Sequence, residues 1–338
     1  MRFFENYEDF IAENTIGGQG TAVAIGNFDG CHRGHKKLLA HITETATQLC
    51  LVPLVFTFSP HPRVFFSSLP QNDLLFDLAA KNEALQALGV KMHLAQKFNE
   101  KFRSLSPQDF VQQVLLKSLN AKYVVVGENF KFGKNRAGNS AWLLESLKTY
   151  GVDCKIFGHV NNPTSDTIIS SSEIRKLLKG GQLEDANNLL GYDYTITGPV
   201  EKGNQQGKKL GFPTANLRNI NQLVPKNGVY ACKVRIVTNN LEGDSPIEEL
   251  VPQFLDAVVN CGTRPTLTKD KQPTVEAHIY ENSRTISELY GKTLVIKFVA
   301  RLRDEIKFSN KEALISQIKS DIDLAKIKLA EHPLAISE

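Results

Sequence analysis

The feature that most restricts the fold is a change of pattern part-way along the chain. From residue 20 to about residue 190, strand-like and helix-like segments alternate. Thr21–Gly26 is a short apolar run closed by glycine, and Gly34–Leu49 places Leu38, Ile42, Thr45 and Leu49 at helical spacing. Leu51–Phe58 reads as a buried strand, Asp77–Leu88 as a helix, and Val90–Ala95 as another strand. Ser106, Pro107 and Asp109 together form a helix start: a cap, a first-turn proline and an acid near the positive end of the dipole. Tyr123–Gly127 and Val152–Phe157 add two more strands. This alternation predicts a doubly wound α/β domain, a parallel sheet with helices on both faces, whose ligands sit at the carboxyl ends of the strands.

From about residue 192 the pattern becomes β-rich. Gly228–Val237, Phe254–Asn260, Val275–Glu281 and Thr293–Arg303 are strand-like, with no helix expected between them, which predicts an antiparallel barrel or sandwich. Ser309-x-x-Glu312 reads as a capping box opening a terminal amphipathic helix through Leu314, Ile318 and Ile322. Asn239–Glu249 reads as an exposed acidic loop. The boundary is expected near Gly191, giving domains 1–190 and 191–338, and 338 residues suit about two domains.

Composition narrows the function. A net charge of +4 lacks the clustered basic face of a nucleic-acid binder, so no nucleic-acid partner is expected. The apolar runs are too short to span a bilayer, and MRFFENYEDF has no apolar export core, so neither a membrane nor an export signal is expected. The five scattered cysteines, with no CxxC, argue against a zinc or disulfide framework and for reduced thiols in a cytoplasmic protein. No obligatory protein partner is evident.

The strongest chemical signal is Gly26-Asn27-Phe28-Asp29-Gly30-Cys31-His32-Arg33-Gly34-His35, which follows the first strand and opens the first helix. Glycines let the backbone approach a ligand, and the helix start offers unpaired N–H groups to an anion. Gly26, Asn27, Phe28 and Gly34 are therefore read as phosphate-binding. His32 and His35, three residues apart, can donate to oxygens on a phosphorus under attack without a covalent intermediate. In the second half, Gly198-x-Val200-x-x-Gly203-x-x-x-Gly207-Lys208-x-Leu210-Gly211 is not a P-loop, yet its glycines Gly203, Gly207 and Gly211, with Lys208, suit a wrapped phosphate chain. Thr214 and Asn216 in Phe212-Pro213-Thr214-Ala215-Asn216 offer hard oxygens to Mg²⁺. In Val275-Glu276-Ala277-His278-Ile279 the strand period puts Glu276 and His278 on one face, where a carboxylate can take a hydroxyl proton.

These segments resemble a known family. GNFDGCHRGH is similar to the GxFDGxHxGH signature of the HxGH nucleotidyltransferases, which attack a nucleotide α-phosphate and release pyrophosphate. Ile169-Ser170-Ser171-Ser172-Glu173-Ile174-Arg175 resembles their ISSTxxR element, which implies that Ser170, Ser171, Ser172 and Arg175 hold the β- and γ-phosphates of ATP. Thr57-Phe58-Ser59-Pro60-His61-Pro62-Arg63 and Gly127-Glu128-Asn129-Phe130-Lys131-Phe132-Gly133 resemble segments of the prokaryotic bifunctional riboflavin kinase/FMN adenylyltransferases, in which His61 and Asn129 would bind nucleotide or flavin. GPVEKG…GKKLGFPTAN, Pro225-x-x-Gly228-Val229-Tyr230-Ala231, Asn260-x-Gly262-x-Arg264-Pro265-Thr266, Leu289-Tyr290-Gly291-Lys292 and Arg301-Leu302-Arg303-Asp304-Glu305 resemble the riboflavin kinase half. The resemblance spans roughly residues 20 to 325. It implies an antiparallel barrel for the second domain, Glu276 as its base, Mg²⁺ with ATP as co-substrate, and riboflavin, FMN and FAD as substrates and products. Departures are Lys208 for Arg, Ser172 and Glu173 in the serine element, Tyr280-Glu281-Asn282 after the catalytic strand, and a long acidic loop. Two other readings are a different HxGH transferase, which the PTAN and GVYA segments oppose, and a flavin-binding regulator without turnover, which the intact catalytic groups oppose.

Overall fold

The computed structural model describes residues 1–13, 18–162, 167–203, 206–237, 254–263, 273–280 and 286–332. The acidic loop Asn239–Glu249, the segment Arg264–Thr266, Glu281, Asn282 and the side chain of Lys208 lie outside the described residues. The chain forms two compact units, Met1–Ser171 and Ser172–Glu338.

The first unit is built on strands β1 (Arg2–Phe4), β2 (Thr21–Ile25), β3 (Val52–Ser59), β4 (Met92–Lys97), β5 (Ala121–Gly127) and, after the two-residue pair β6 (Lys131–Phe132) and β7 (Gly138–Asn139), β8 (Asp153–Phe157). The six longer strands pair only in parallel, in the order β1-β4-β3-β2-β5-β8. The strand period explains the burial of both faces. Val23, Ile25, Leu54, Phe56, Val124 and Val126 join one core cluster with the helices Phe110–Ser118 and Ser140–Lys148. The intervening Ala22, Ala24, Val55 and Val125 are equally buried, and the helix Arg33–Gln48 packs on β2 and β3. The path steps outward from β2 to β3 and β4, then returns to β5 on the other side of β2. That reversal opens a crevice at the carboxyl ends of β2 and β5.

Two sequence expectations needed correction here. The strand β1 and the helix Tyr7–Glu13 precede the first expected element; β1 has only three residues and exists through its pairing with β4. Leu49 ends its helix as the C-cap and is 51% exposed, while Leu39 and Ala46 are buried. The expected start at Ser106 is present, its Oγ accepting from Asp109 N at 3.0 Å.

The second unit is a closed antiparallel barrel in the order β10-β13-β12-β11-β14-β9, from β9 (Thr195–Glu201), β10 (Ala215–Leu217), β11 (Gly228–Val237), β12 (Leu255–Thr263), β13 (Pro273–Ile279) and β14 (Thr293–Arg303). Closure removes every exposed edge, which the β-rich pattern requires and does not itself specify. Short turns of helix at Gln206–Lys209 and Ile286–Leu289 interrupt the strands, the latter where no helix was expected. The terminal helix Lys311–Glu331 packs on β11, β12 and β14 and buries Ala325 and Leu329. Its cap is Asn310, whose Oδ1 accepts from Ala313 N at 2.8 Å, and not Ser309; N3 is then Ala313, whose methyl side chain cannot complete the expected box. The compact units divide at Ser171/Ser172. The helices Ser171–Gly180 and Leu183–Leu190 are tied to the barrel: Lys226 N donates to the Leu178 carbonyl at 3.0 Å, and Asn187 Nδ2 to the Phe298 carbonyl at 2.9 Å.

Candidate functional site

In the first unit the turn after β2 sits at the sheet's crevice. Gly26 N donates to the Phe56 carbonyl at 3.1 Å, and the chain then bends with Phe28 and Cys31 at positive φ (46° and 34°). A side chain at Gly26 would crowd the Phe28 ring at 3.1 Å, and one at Gly34 the His32 ring at 3.3 Å. Asp29 anchors the turn from below. Its carboxylate accepts from Leu75 N at 3.1 Å and Phe76 N at 2.9 Å, while its carbonyl accepts from Ser171 Oγ at 2.8 Å.

His32 caps the helix Arg33–Gln48: its Nδ1 accepts from His35 N at 3.3 Å. In the neutral ring that places the proton on Nε2, which is then a donor. Burial lowers the pKa of His32 to about 4, against the opposing pull of Asp29, so the ring is neutral near pH 7. His35 is also pushed well below its ordinary value, first by desolvation and then by His32 and Lys81. The two rings stack with centroids 3.6 Å apart and planes at 16°, and Phe28 meets His35 edge-on at 5.2 Å. Two polar atoms in this turn, Asn27 Oδ1 and His35 Nδ1, are buried without a hydrogen bond among the described residues. Burial holds the Cys31 thiol up at about 12, which removes it as a nucleophile, and all five cysteines are free.

His61 follows β3 and caps the short helix Pro62–Phe65, its Nδ1 accepting from Arg63 N at 3.0 Å. Asn129 follows β5, and its amide lies 2.8 Å from His159 Nε2, which also approaches Glu128 at 3.0 Å. The turn, His61 and Asn129 thus come from the carboxyl ends of β2, β3 and β5. Ser170 and Ser171 belong to this unit; Ser172 and the buried Arg175 stand on the helix Ser171–Gly180 in the second.

The second unit encloses a cavity of about 290 Å³ beside the barrel, close to the lower limit of small-molecule sites (roughly 300 Å³). Glu276 lies in it at the centre of β13, with Asn216 of β10 and Asn260 of β12 as its register partners. Val275, Ala277 and Ile279 face the core, as the strand period requires. Asn216 is 7% exposed, and its Nδ2 donates to the Thr214 carbonyl at 3.4 Å, which leaves Oδ1 as an acceptor. A side chain at Gly203 would lie 2.6 Å from the Asn216 amide, and one at Gly207 would overlap the Phe212 carbonyl oxygen. Gly211 has φ +88°, which favours glycine. His278 is held by its Nδ1, which donates to the Pro213 carbonyl at 2.9 Å, and its ring meets Phe212 edge-on.

Several lining residues escaped sequence reasoning. Arg303 makes a paired contact with Asp321 of the terminal helix (2.6 and 2.8 Å), fixing Leu314 and Ile318 over the cavity. Glu305 accepts from Asn260 Nδ2 at 3.4 Å. These contacts join positions far apart in the chain and follow from barrel closure, although Asn260, Arg303 and Glu305 do lie inside segments singled out for resemblance.

An anion-receiving turn with paired neutral imidazoles at a parallel-sheet switch point, and a separate barrel cavity combining a carboxylate with neutral oxygens, define a two-centre nucleotide-dependent transferase. Family models described as FAD synthetase and riboflavin kinase match residues 16–173 and 190–329. The bifunctional riboflavin kinase/FMN adenylyltransferase of Haemophilus influenzae is 35% identical over 91% of this chain and 94% of its own length. Its namesake in Escherichia coli is 33% identical over 90% and 91%. A solved structure described as a macrolide-efflux protein from Streptococcus pneumoniae superposes with a TM-score of 0.78 and 27% identity over 96% of this chain and 98% of that one. Among the described residues no helix is long and apolar enough to cross a membrane. The chain belongs to the bifunctional riboflavin kinase/FMN adenylyltransferase family.

Proposed function

We propose that residues 191–338 transfer the γ-phosphoryl group of ATP to riboflavin, giving FMN and ADP, and that residues 1–190 transfer the adenylyl group of ATP to FMN, giving FAD and pyrophosphate. The observation that carries this division is the presence of two chemically different centres in separate units: a capping imidazole donor after the carboxyl end of β2 and a carboxylate in the barrel cavity.

In adenylyl transfer a phosphate oxygen of FMN attacks the α-phosphorus, and the bond to pyrophosphate breaks. The Gly26–Gly34 turn and the helix start receive phosphate oxygens, while His32 Nε2–H and His35 stabilise the charge that develops. Ser170, Ser171, Ser172 and Arg175 are assigned to the β- and γ-phosphates, and His61 and Asn129 to the flavin nucleotide, on the strength of their motifs. In the kinase, Glu276 accepts the proton of the riboflavin primary hydroxyl as that oxygen attacks the γ-phosphate. Gly203, Gly207, Lys208 and Gly211 wrap the phosphate chain.

Thr214 and the Asn216 Oδ1 acceptor, both neutral hard oxygens, fit Mg²⁺ shared with ATP, and bound Mg²⁺ would neutralise phosphate charge during transfer. The cytoplasm, where ATP and reduced thiols prevail, is the proposed location. The test is a crossed pair of variants. His32→Ala is expected to stop FAD formation from FMN while leaving FMN formation from riboflavin, and Glu276→Gln to do the reverse. A folded variant of either kind that loses both reactions refutes the division.

A further inference from the structure

The two oxygens assigned to Mg²⁺ are held unequally in the barrel. Asn216 lies on β10, 7% exposed, and is paired on both sides: its register partners are Glu276 of β13 and Glu201 of β9. Thr214 lies one residue before β10. There the ladder to β13 has already ended, at Ala215 opposite Ala277. The main-chain pairing of β10 thus stops short of Pro213 and Thr214.

A side chain continues where the ladder stops. His278 follows Ala277 on β13, and its Nδ1 lies 2.9 Å from the Pro213 carbonyl. A carbonyl can only accept, so this contact places a ring proton on Nδ1. The next carbonyl, that of Thr214, accepts from Asn216 Nδ2 at 3.4 Å. The segment ahead of Pro213 meets the same ring: Phe212 N donates to the Gly207 carbonyl at 2.9 Å, and the Phe212 ring stands edge-on to His278 at 5.6 Å. Thr214, Glu276 and His278 line one cavity, and Glu276 and His278 share a face of β13 because they are two residues apart. A shift of the Pro213 carbonyl is therefore a shift of Thr214 relative to Glu276.

We infer that His278 is a positioning residue of the phosphoryl-transfer centre. Its bond to the Pro213 carbonyl extends the hold of β13 past the end of β10 and sets Thr214 against Glu276, for Mg²⁺ bound with ATP. The inference rests on the kinase reading of the barrel cavity. In this role His278 touches no reacting atom and transfers no proton. Apolar walls of the cavity at Val229, Val258 and Leu314 lie on β11, β12 and the terminal helix, so the place for a flavin ring does not depend on this bond.

Full-length His278→Phe and His278→Asn chains test it. Phe keeps a ring against Phe212 and loses the donor; Asn loses the ring and keeps an amide nitrogen at the place of Nδ1. Circular dichroism reports folding, and FMN formation is followed with riboflavin, ATP and Mg²⁺ varied separately. Loss of one neutral hydrogen bond predicts for His278→Phe a fall of roughly twofold to tenfold in kcat/KM for ATP, with a comparable rise in the Mg²⁺ needed for half the maximal rate and an unchanged KM for riboflavin. His278→Asn should recover most of both. A packing role predicts the reverse order, with Phe close to wild type and Asn impaired, and that order overturns the inference. Wild-type kinetics in both variants overturn it too, as does a change confined to the KM of riboflavin. Imidazole nitrogen resonances of the isotopically labelled, metal-free chain give a readout apart from turnover: a proton on Nδ1 of His278 supports the bond, and a proton on Nε2 alone overturns it. If His278→Phe does not fold, His278→Asn decides: kinase values close to wild type support the bond, and impaired values overturn it. A wild-type chain that forms no FMN from riboflavin would instead remove the kinase reading.

Discussion

Replacing Asp29 by Asn would test the foundation of the histidine turn. The side chain is 2% exposed and accepts from Leu75 N at 3.1 Å to each oxygen and from Phe76 N at 2.9 Å. Asn keeps the shape, replaces one oxygen by an amide donor and removes the charge. Hydrogen bonds to a charged acceptor contribute about 1.5–3 kcal/mol, and those to a neutral one about 0.5–1.5 kcal/mol. With two backbone donors weakened, the expected loss is about 2 kcal/mol. In a unit the size of Met1–Ser171, about 2 kcal/mol lowers Tm by roughly 4–8 °C. The chain has 1 tryptophan, Trp142, on the helix Ser140–Lys148 of this unit and against Phe132 at 5.8 Å, so its emission follows this transition and not that of the barrel. FAD formation should fall as the turn loosens, and riboflavin phosphorylation should persist. A Trp142 transition within about 1 °C of wild type would refute the anchoring role of Asp29.

Two further outcomes follow from the structure. Gly207→Ala drives a methyl into the Phe212 carbonyl and should displace the segment carrying Phe212 and Thr214. It is expected to lower kcat/KM for riboflavin phosphorylation while FAD formation from added FMN is unchanged; equal kinase rates would contradict it. Acid should weaken the first unit before its carboxylates titrate. His32 is lowered to about 4 and His93 to about 3, both by burial, so below pH 6.5 the unfolded chain takes up protons that the folded chain refuses. Their stabilisation is complete above pH 6.5 and is lost as pH falls toward 4 and then 3, by a few kcal/mol in all. Urea midpoints from Trp142 emission should therefore be lower at pH 5 than at pH 7, and identical midpoints would contradict the assignment.

The parts of the account that were legible in sequence are those in which local and chemical signals coincide. The segment Gly26–His35 is read from its glycines and imidazoles, and the structure places it at the end of β2 with His32 as a helix cap, a hydrogen bond that spacing alone does not specify. Glu276 and His278 share the cavity side of β13 because the strand period is rigid. What escaped has no local signature. Lys81 stands in LAAKNEAL, inside the segment read as a helix, whose spacing does not single it out for burial; the bonds of Asp29 to Leu75 and Phe76 hold the chain just before that helix, and Lys81 is buried. The clasp of Arg303 on Asp321 and the seating of Leu314 and Ile318 over the cavity need a closed barrel, and the helical spacing of Leu314, Ile318 and Ile322 does not say which surface they meet. The cap at Asn310 shows the same limit on a small scale: Ser309 and Asn310 are both good caps, and the backbone chooses.

The most direct measurement is a time course of the purified chain with riboflavin, ATP and Mg²⁺, the flavins being separated by chromatography. FMN should appear first and FAD after it, and added FMN should give FAD without the lag. No FMN from riboflavin together with no FAD from added FMN would contradict the assignment of both centres.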